Sequence, residues 1–576
     1  MDLKRLISEA VADALEAEHQ AASRPEGKRE SQADVLVKLA LRECELFHDP
    51  QQETYAAFAV NGHREVWPTR SRAFKNWLAQ RFFEEHGRAP NADAINQART
   101  TLEGFALFKG PERGLRVRVA WHDNAIWYDL ADRRWRAVRI TPDGWEVVDR
   151  PPILFRRYQN TAAQVEPEPG GDLRELLKLT NIRSEDDRIL LLVYLVAALV
   201  PEIPRPIFHP FGEKGAGKTT LMRMVRMLID PAVEPLLILR GDDRELAIQL
   251  NQNYAPFFDN VSGLSGALSD MLCRAATGAG FTTRALYTDD EVCVFSIKRL
   301  VGLNGIHLLT GGTDLQDRFL TIELERINRE ERRQEQEILA EFERLRPKLF
   351  GAMLDALARA MRIKPRLQFT ELPRMADWSL WAAAAGEALG IGAERVMAAY
   401  WRNIGQVNER LLESHPVAAA VMALLEQTPE WVGTTAELLK RLEEIAEQEK
   451  INTRAQTWPK SAAALSRRLK EIASNLADAG VELVRGRAGD KKNAKLLSLR
   501  RVAQKASEVS EESEASSEAG SSSVAIRTQF YGGLNCVRKP SDGEPSSEAG
   551  SDAFDASDAI FPTLKEEDDD LDDIPF

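Results

Sequence analysis

Residues 212–219 read GEKGAGKT, and nothing else in the chain restricts its fold as tightly. The spacing G-x-x-x-x-G-K-[ST] works only between a strand and a helix. Its glycines turn backbone N–H groups inward around a phosphate chain, and the helix N-terminus aims its positive end at the same point. Both flanks are present: "IFHPF" before the loop is a short apolar run, and "LMRMVRMLID" after it carries apolar residues at helical spacing. The loop therefore predicts an α/β domain. Gly212, Glu213, Lys214, Gly215, Ala216, Gly217, Lys218, Thr219 and Thr220 form the expected nucleotide cradle. Lys218 would reach the β- and γ-phosphates of ATP, and the Thr219 hydroxyl would ligate Mg2+.

A second metal-side carboxylate belongs at the end of a neighbouring strand, and "YAPFFDNVS" offers Asp259. The next position, where a second acid would polarise the attacking water, is Asn260. An amide can orient water but cannot take its proton.

At 576 residues and 44% hydrophobic, the chain can bury several cores. An amphipathic N-terminal helix and linker occupy 1–33. An α+β domain is expected over 34–165, with a hairpin turn at Asn61-Gly62 and helices near 73–85 and 92–105. Its later strands bring Trp121, Trp127, Trp135 and Trp145. These could form a base-stacking platform, but the strand pattern favours packing between layers. "EPEPGG" at 166–171 reads as a linker. The nucleotide domain spans 172–345, a helical region 346–412, a basic module 413–500 and an acidic tail 501–576.

The apolar run Ile189 to Val200 falls short of the roughly 20 residues that span a bilayer, so it reads as a buried helix and no membrane partner is expected. Cys44, Cys273, Cys293 and Cys536 are scattered without metal-binding or disulfide spacing, which fits a reducing cytoplasm.

The formal net charge of −13 hides an uneven distribution. The tail from Arg501 holds 18 acids against 6 bases, whereas 451–500 holds 11 bases against 4 acids. Within that basic stretch Ser461 is a candidate helix cap, and Leu465, Leu469, Ile472 and Leu476 recur at helical spacing. A strand pair with a basic, Gly-containing turn follows. This reads as a winged helix that binds DNA. Lys460, Arg467, Arg468 and Lys470 lie on its helix side, and Arg485, Arg487, Lys491 and Lys492 on the wing. The Ser, Glu, Ala and Gly-rich tail cannot bury enough apolar surface to offset its chain entropy and is expected to be disordered.

The order "GEKGAGKTT", "FFDNVSGLSGALSDMLCRAATGAGFTTRALYTDDEVCVF", "LVGLNGI", "DLQDRFLTIEL" resembles the superfamily-3 helicase-like ATPases of phages and mobile elements, a branch of the AAA+ proteins that includes primase-helicases. The resemblance is tight over about 200–325. It implies that Asn304 places or polarises the lytic water between the phosphate loop and Asp259, and that Arg318 reaches the γ-phosphate of the neighbouring subunit. It further implies a ring, expected to be a hexamer, because each site is completed in trans. The family's extra hairpin motif falls on 274–295, where Asp289, Asp290 and Glu291 near the tip would repel a DNA backbone.

The ending "DDLDDIPF" resembles the C-terminal tip of bacterial single-stranded DNA-binding proteins. It implies docking to host replication or repair proteins. Phe576 would fill an apolar pocket with its carboxylate on a basic residue, Pro575 would limit the entropy lost, and the acids of 568–573, Asp572 and Asp573 among them, would steer the approach of a tip that also includes Ile574.

The expectation is an ATP-dependent DNA helicase or replication initiator of a mobile element. The alternative is an ATP-gated DNA-binding adaptor or loader that does not unwind. Strand-borne D-x-D with a downstream His is missing from the first 165 residues, which disfavours a primase.

Overall fold

The computed structural model describes residues 30–502, apart from 262, 279–280, 285–291, 296–297, 306–312, 329, 331, 456 and 488–494. The expected N-terminal helix, the acidic tail and its docking tip lie outside the described residues.

Helix α1 (Gln32–Glu43) starts at Ser31, whose hydroxyl accepts the Asp34 N–H at 3.1 Å. It packs with α2 (Arg72–His86) and α3 (Ala92–Phe108) on the antiparallel sheet β1 (Cys44–His48), β2 (Thr54–Val60) and β3 (His63–Pro68). Asn61 and Gly62 turn β2 into β3 with φ of 48° and 88°, the left-handed pair that a two-residue hairpin requires. Phe58 stacks on Trp77, so the aromatic residues of strand and helix close one small core.

The tryptophan-bearing meander β4 (Val119–His122), β5 (Ala125–Asp129), β6 (Ala137–Thr141) and β7 (Gly144–Val148) joins a different core. Ile126, Tyr128, Val138 and Ile140 are fully buried in the same cluster as α4 (Glu185–Ala197) and the apolar face of the helix behind the phosphate loop. Trp127 and Trp135 are buried, and the Trp145 indole donates to Asp355 at 2.8 Å. Trp121 is the most exposed of the four, beside Trp381. Trp135 packs against the first sheet, edge-on to Trp67 of β3 and among Phe47, Tyr55 and Val66, as expected of a residue between layers, whereas Trp145 and Trp121 meet residues of later helices. Residues Ile189 to Val200 are wholly buried. Among the described residues no helix is long and apolar enough to cross a membrane.

The central sheet is parallel throughout, in the order β13 (Phe319–Glu323), β8 (Ile207–Phe211), β12 (Gly302–Leu303), β9 (Phe257–Phe258), and a bridge from Leu237 to Phe258 extends it. Around it lie α5 (Lys218–Ile229), α6 (Asp243–Gln252), α7 (Gly266–Thr277) and the single turn α8 (Thr313–Gln316). The strand pair β10 (Phe281–Arg284) and β11 (Val292–Phe295) stands apart from the sheet. Its connection, with Asp289, Asp290 and Glu291, lies outside the described residues.

The long helix α9 (Glu335–Ile363) is embraced by the EPEPGG stretch: Glu168 N–H donates to Pro347 C=O at 3.0 Å, and the Glu168 carbonyl occupies the space that a Cβ on Gly351 would need. Helices α10 (Ala376–Ala388) and α11 (Ala393–Ser414) follow. Asn403 on α11 closes the free edge of β13, accepting from Thr321 N–H at 3.2 Å and donating to its carbonyl at 2.6 Å.

The C-terminal module runs α12 (Pro416–Gln427), β14 (Glu430–Thr434), α13 (Thr435–Gln448), α14 (Ala462–Glu471), α15 (Ala473–Asp478), β15 (Val481–Arg487), β16 (Lys495–Arg501). Its antiparallel sheet has the order β14, β16, β15. Ser461 caps α14 by accepting from Ala464 N–H. Leu465, Leu469, Ile472 and Leu476 fill the core at 0% exposure, as a 3.6-residue period demands of one buried face.

Candidate nucleotide site and nucleic-acid surface

The C-terminal ends of parallel strands open on one edge, where crossover connections leave a crevice. Here that edge collects the phosphate loop after β8, Asn304 after β12 and Asp259 after β9. Because β12 lies between β8 and β9, Asn304 stands between the loop and Asp259.

The loop has the backbone its glycines allow: φ is 144° at Gly212, 87° at Gly215 and 86° at Gly217, values that strain an L side chain. The Leu324 carbonyl sits where a Cβ on Gly212 would lie. Ala216 is buried, Lys214 is exposed, and Glu213 faces Arg326 at 3.6 Å. The Lys218 ammonium is held by the loop itself, donating to the Gly212 and Glu213 carbonyls at 2.8 Å each. Burial lowers its pKa, and the charge of Asp259 opposes that shift. Lys218 and Asp259 are therefore electrostatic neighbours. Thr219 follows Lys218 in the first turn of α5. The Thr220 hydroxyl and the Arg223 guanidinium both meet Glu335 at the start of α9.

The Asn304 amide donates to Asp259 Oδ1, which also accepts the Asn260 N–H at 3.0 Å. Asn304 is 5% exposed. Asn260 is left-handed at φ 54°, a cost Asn bears better than other side chains. Asn304, Asp259 and Asn260 are thus joined by hydrogen bonds, and Lys218 lies within reach of the Asp259 charge against the backbone cradle. The donors and carboxylate suit a magnesium triphosphate: a nest of N–H groups, one ammonium, one hydroxyl and one acid.

Arg318 is placed elsewhere. It precedes Phe319, which pairs with Ile207 at the start of β8, while the phosphate loop leaves the end of that strand. The two are separated by the length of the strand, about 16 Å at 3.3 Å per residue. The Arg318 backbone is fixed there, its N–H on Leu315 C=O and its C=O accepting from Ile207 N–H at 2.7 Å.

Of the basic residues expected on DNA, Lys460, Arg467, Lys470 and Arg485 are exposed. Arg468 pairs with Glu471 at 2.7 Å, and Arg485 also donates to the Ser466 carbonyl at 3.3 Å, which ties the hairpin to α14. Arg487 takes part in the β15 ladder opposite Lys495. Lys491, Lys492 and the tip residues Asp572, Asp573, Ile574, Pro575 and Phe576 lie outside the described residues. Sequence reasoning missed Asn475 and Asp317, which join the C-terminal module to the turn before Arg318. Asp317 lies in the DLQDRF stretch but its role there depends on a partner far along the chain, and Asn475 belongs to no motif, so no local signal marks the bond between them.

Residues 173–409 match the family model of the actinomycete integrative conjugative element replication protein, and 417–516 match the C-terminal domain of the same replication proteins, AICE RepA. Together these segments take in more than half of the chain and define its class, a replication protein of an integrative conjugative element. Solved structures similar to it include the apo C-terminal region of NrS-1, with 13% identity, 81% of this chain and 99% of that one covered and a TM-score of 0.35. An inhibitor-bound JCV helicase aligns over 37% of this chain and 67% of its own, with 17% identity and a TM-score of 0.19. Comparison with curated proteins gives no match.

Proposed function

We propose that the chain is an ATP-driven DNA-replication motor, a helicase or initiator, that works as a ring of identical subunits. The observation that carries this reading is the split between Lys218, Asp259 and Asn304 at one edge of the sheet and Arg318 at the other. A guanidinium a strand's length from its own phosphate loop can meet a γ-phosphate only on a neighbouring chain. Gly212 to Thr220 would hold the triphosphate, with Thr219 and Asp259 on its Mg2+. When bound, the ion would supply neutralisation of charge on the phosphates and on the leaving oxygen. Asn304 and Asp259 would order the water, and Arg318 of the next subunit would stabilise charge developing in the transition state.

The C-terminal module has the helix, strand and hairpin order of a winged helix, and its exposed bases suit phosphate contacts by α14 and the wing. The acidic tail would recruit host proteins that bind single-stranded DNA-binding protein tips. Lys218→Ala should reduce DNA-stimulated ATP hydrolysis to background, and undiminished turnover would remove the site assignment. One feature favours the second reading, an adaptor that binds DNA without unwinding it: Asn260 stands where a base for the water would be. Strand displacement on a forked substrate separates the two readings.

A further inference from the structure

The turn that carries Arg318 is clamped from the C-terminal module. Asn475 on α15 donates its amide to Asp317 Oδ1 at 3.0 Å, and Arg374 donates to Oδ2 at 3.2 Å. Asp317 is the turn residue immediately before Arg318, and the helix leading into it, α8, is a single turn too short to fix it by its own ladder. Asn475 is itself buried, at 1% exposure, and its backbone carbonyl accepts the Asn408 amide at 3.0 Å. Asn408 lies on α11, the same helix whose Asn403 holds the β13 edge. One helix therefore braces both the strand that follows Arg318 and the module expected on DNA. Asp478, also on α15, senses the same carboxylate: burial first and then the charge of Asp317 push its own carboxyl up.

We propose that Asn475 is a positioning residue for Arg318. Through Asp317 the C-terminal module sets the direction in which each chain offers its guanidinium to the next, so DNA taken by that module is felt at the neighbour's phosphates. The inference rests on the trans reading above. Its physical basis is sensitivity to placement, since a displacement of about 1 Å at a reacting centre can cost on the order of a hundredfold in rate. A hydrogen bond from a separate module applies or releases such a displacement as it forms or breaks.

The test is subunit mixing with the full-length chain. Asn475→Ala should lower kcat at least tenfold, leave the KM for ATP unchanged and abolish stimulation by DNA. Mixed with Lys218→Ala chains, which keep an intact Arg318, it should regain turnover above either variant alone, as Arg318→Ala should with the same partner. If Arg318→Ala is rescued and Asn475→Ala is not, Asn475 does not act through the arginine and the inference fails. If neither is rescued, the trans site fails and the inference with it. Should Asn475→Ala not fold, Asp317→Ala approaches the same bond from a half-exposed side chain and must show the same rescue. Asp317→Asn keeps an acceptor for Asn475 and should retain most of the turnover; a loss equal to that of Asp317→Ala would also overturn the inference.

Discussion

Helix α5, which begins at the phosphate loop, ends on charges that solvent does not reach, whereas the β13 edge that carries Arg318 is held by amides, by the buried Asp187 and by the partly exposed Asp317. Beneath α5, Asp230 takes Arg118 at 2.7 Å, Arg226 at 3.1 Å and the Ala255 N–H at 2.9 Å. Arg118 comes from the meander and also donates to the Asp129, Ala162 and Pro231 carbonyls. Along β13 the supports are Asn403, Asp187 from α4 and the Asp317 clamp. The first arrangement fixes one position, because buried charges tolerate no unpaired alternative. The second can be remade bond by bond. A site shared between chains would need that difference, a rigid cradle and an adjustable donor.

The sharpest way to break the comparison is Asp230→Ala, which leaves two buried guanidinium groups without their carboxylate. It should cost on the order of 3–5 kcal/mol in urea unfolding and take the nucleotide site with it. Burial alone would raise the Asp230 carboxyl, but the charges of Arg226 and Arg118 outweigh it and hold the group at about 2. Its stabilising contribution is therefore complete above the ordinary value of 3.8 and lost as pH falls through 2. A loss under about 1 kcal/mol would show that the meander is not a foundation of the cradle.

Asn403→Ala attacks the other side. It strands the buried Thr321 N–H and C=O and should cost about 2 kcal/mol. Because Thr321 lies on the arginine side of the sheet, the nucleotide-bound fraction should be unchanged while turnover falls. Equal losses in ATP affinity and turnover would mean that the two edges do not act separately.

These supports were the least legible part of the chain. The phosphate loop declares itself because its φ angles demand glycine at fixed spacing, and the Asn61-Gly62 hairpin for the same reason. Leu465, Leu469, Ile472 and Leu476 announced a buried helical face by period alone. The meander was different. Its alternation predicts strands but not the surface they cover, and it packs on α9, some two hundred residues later, through Trp145 and Asp355. The EPEPGG stretch has a linker's composition, yet it lies in contact with Gly351. Asn403, Asn475 and Arg118 act through partners distant in sequence, so no window of sequence could expose their roles.

The smallest effect sharpens the contrast at one carboxyl on the adjustable side. Asp187 accepts the Glu323 N–H at 3.1 Å and is 5% exposed. Burial pushes its pKa from 3.8 to about 6. The Glu323 hydrogen bond opposes the shift, the Glu323 charge adds to it, Arg410 opposes it and Asp186 adds a little. The folded chain therefore holds a proton that the unfolded chain has released, so stability falls as pH rises from 3.8 to 6, and the penalty is complete above 6. Asn keeps an oxygen for the Glu323 N–H and carries no charge. Asp187→Asn should raise stability at pH 8 by on the order of 1 kcal/mol, with the gain vanishing below pH 4. Thermal unfolding across that range reads it directly. A variant weaker than the parent at pH 8 would mean that the ionised group is a net support of β13, and that the arginine side is founded on buried charge as the cradle is.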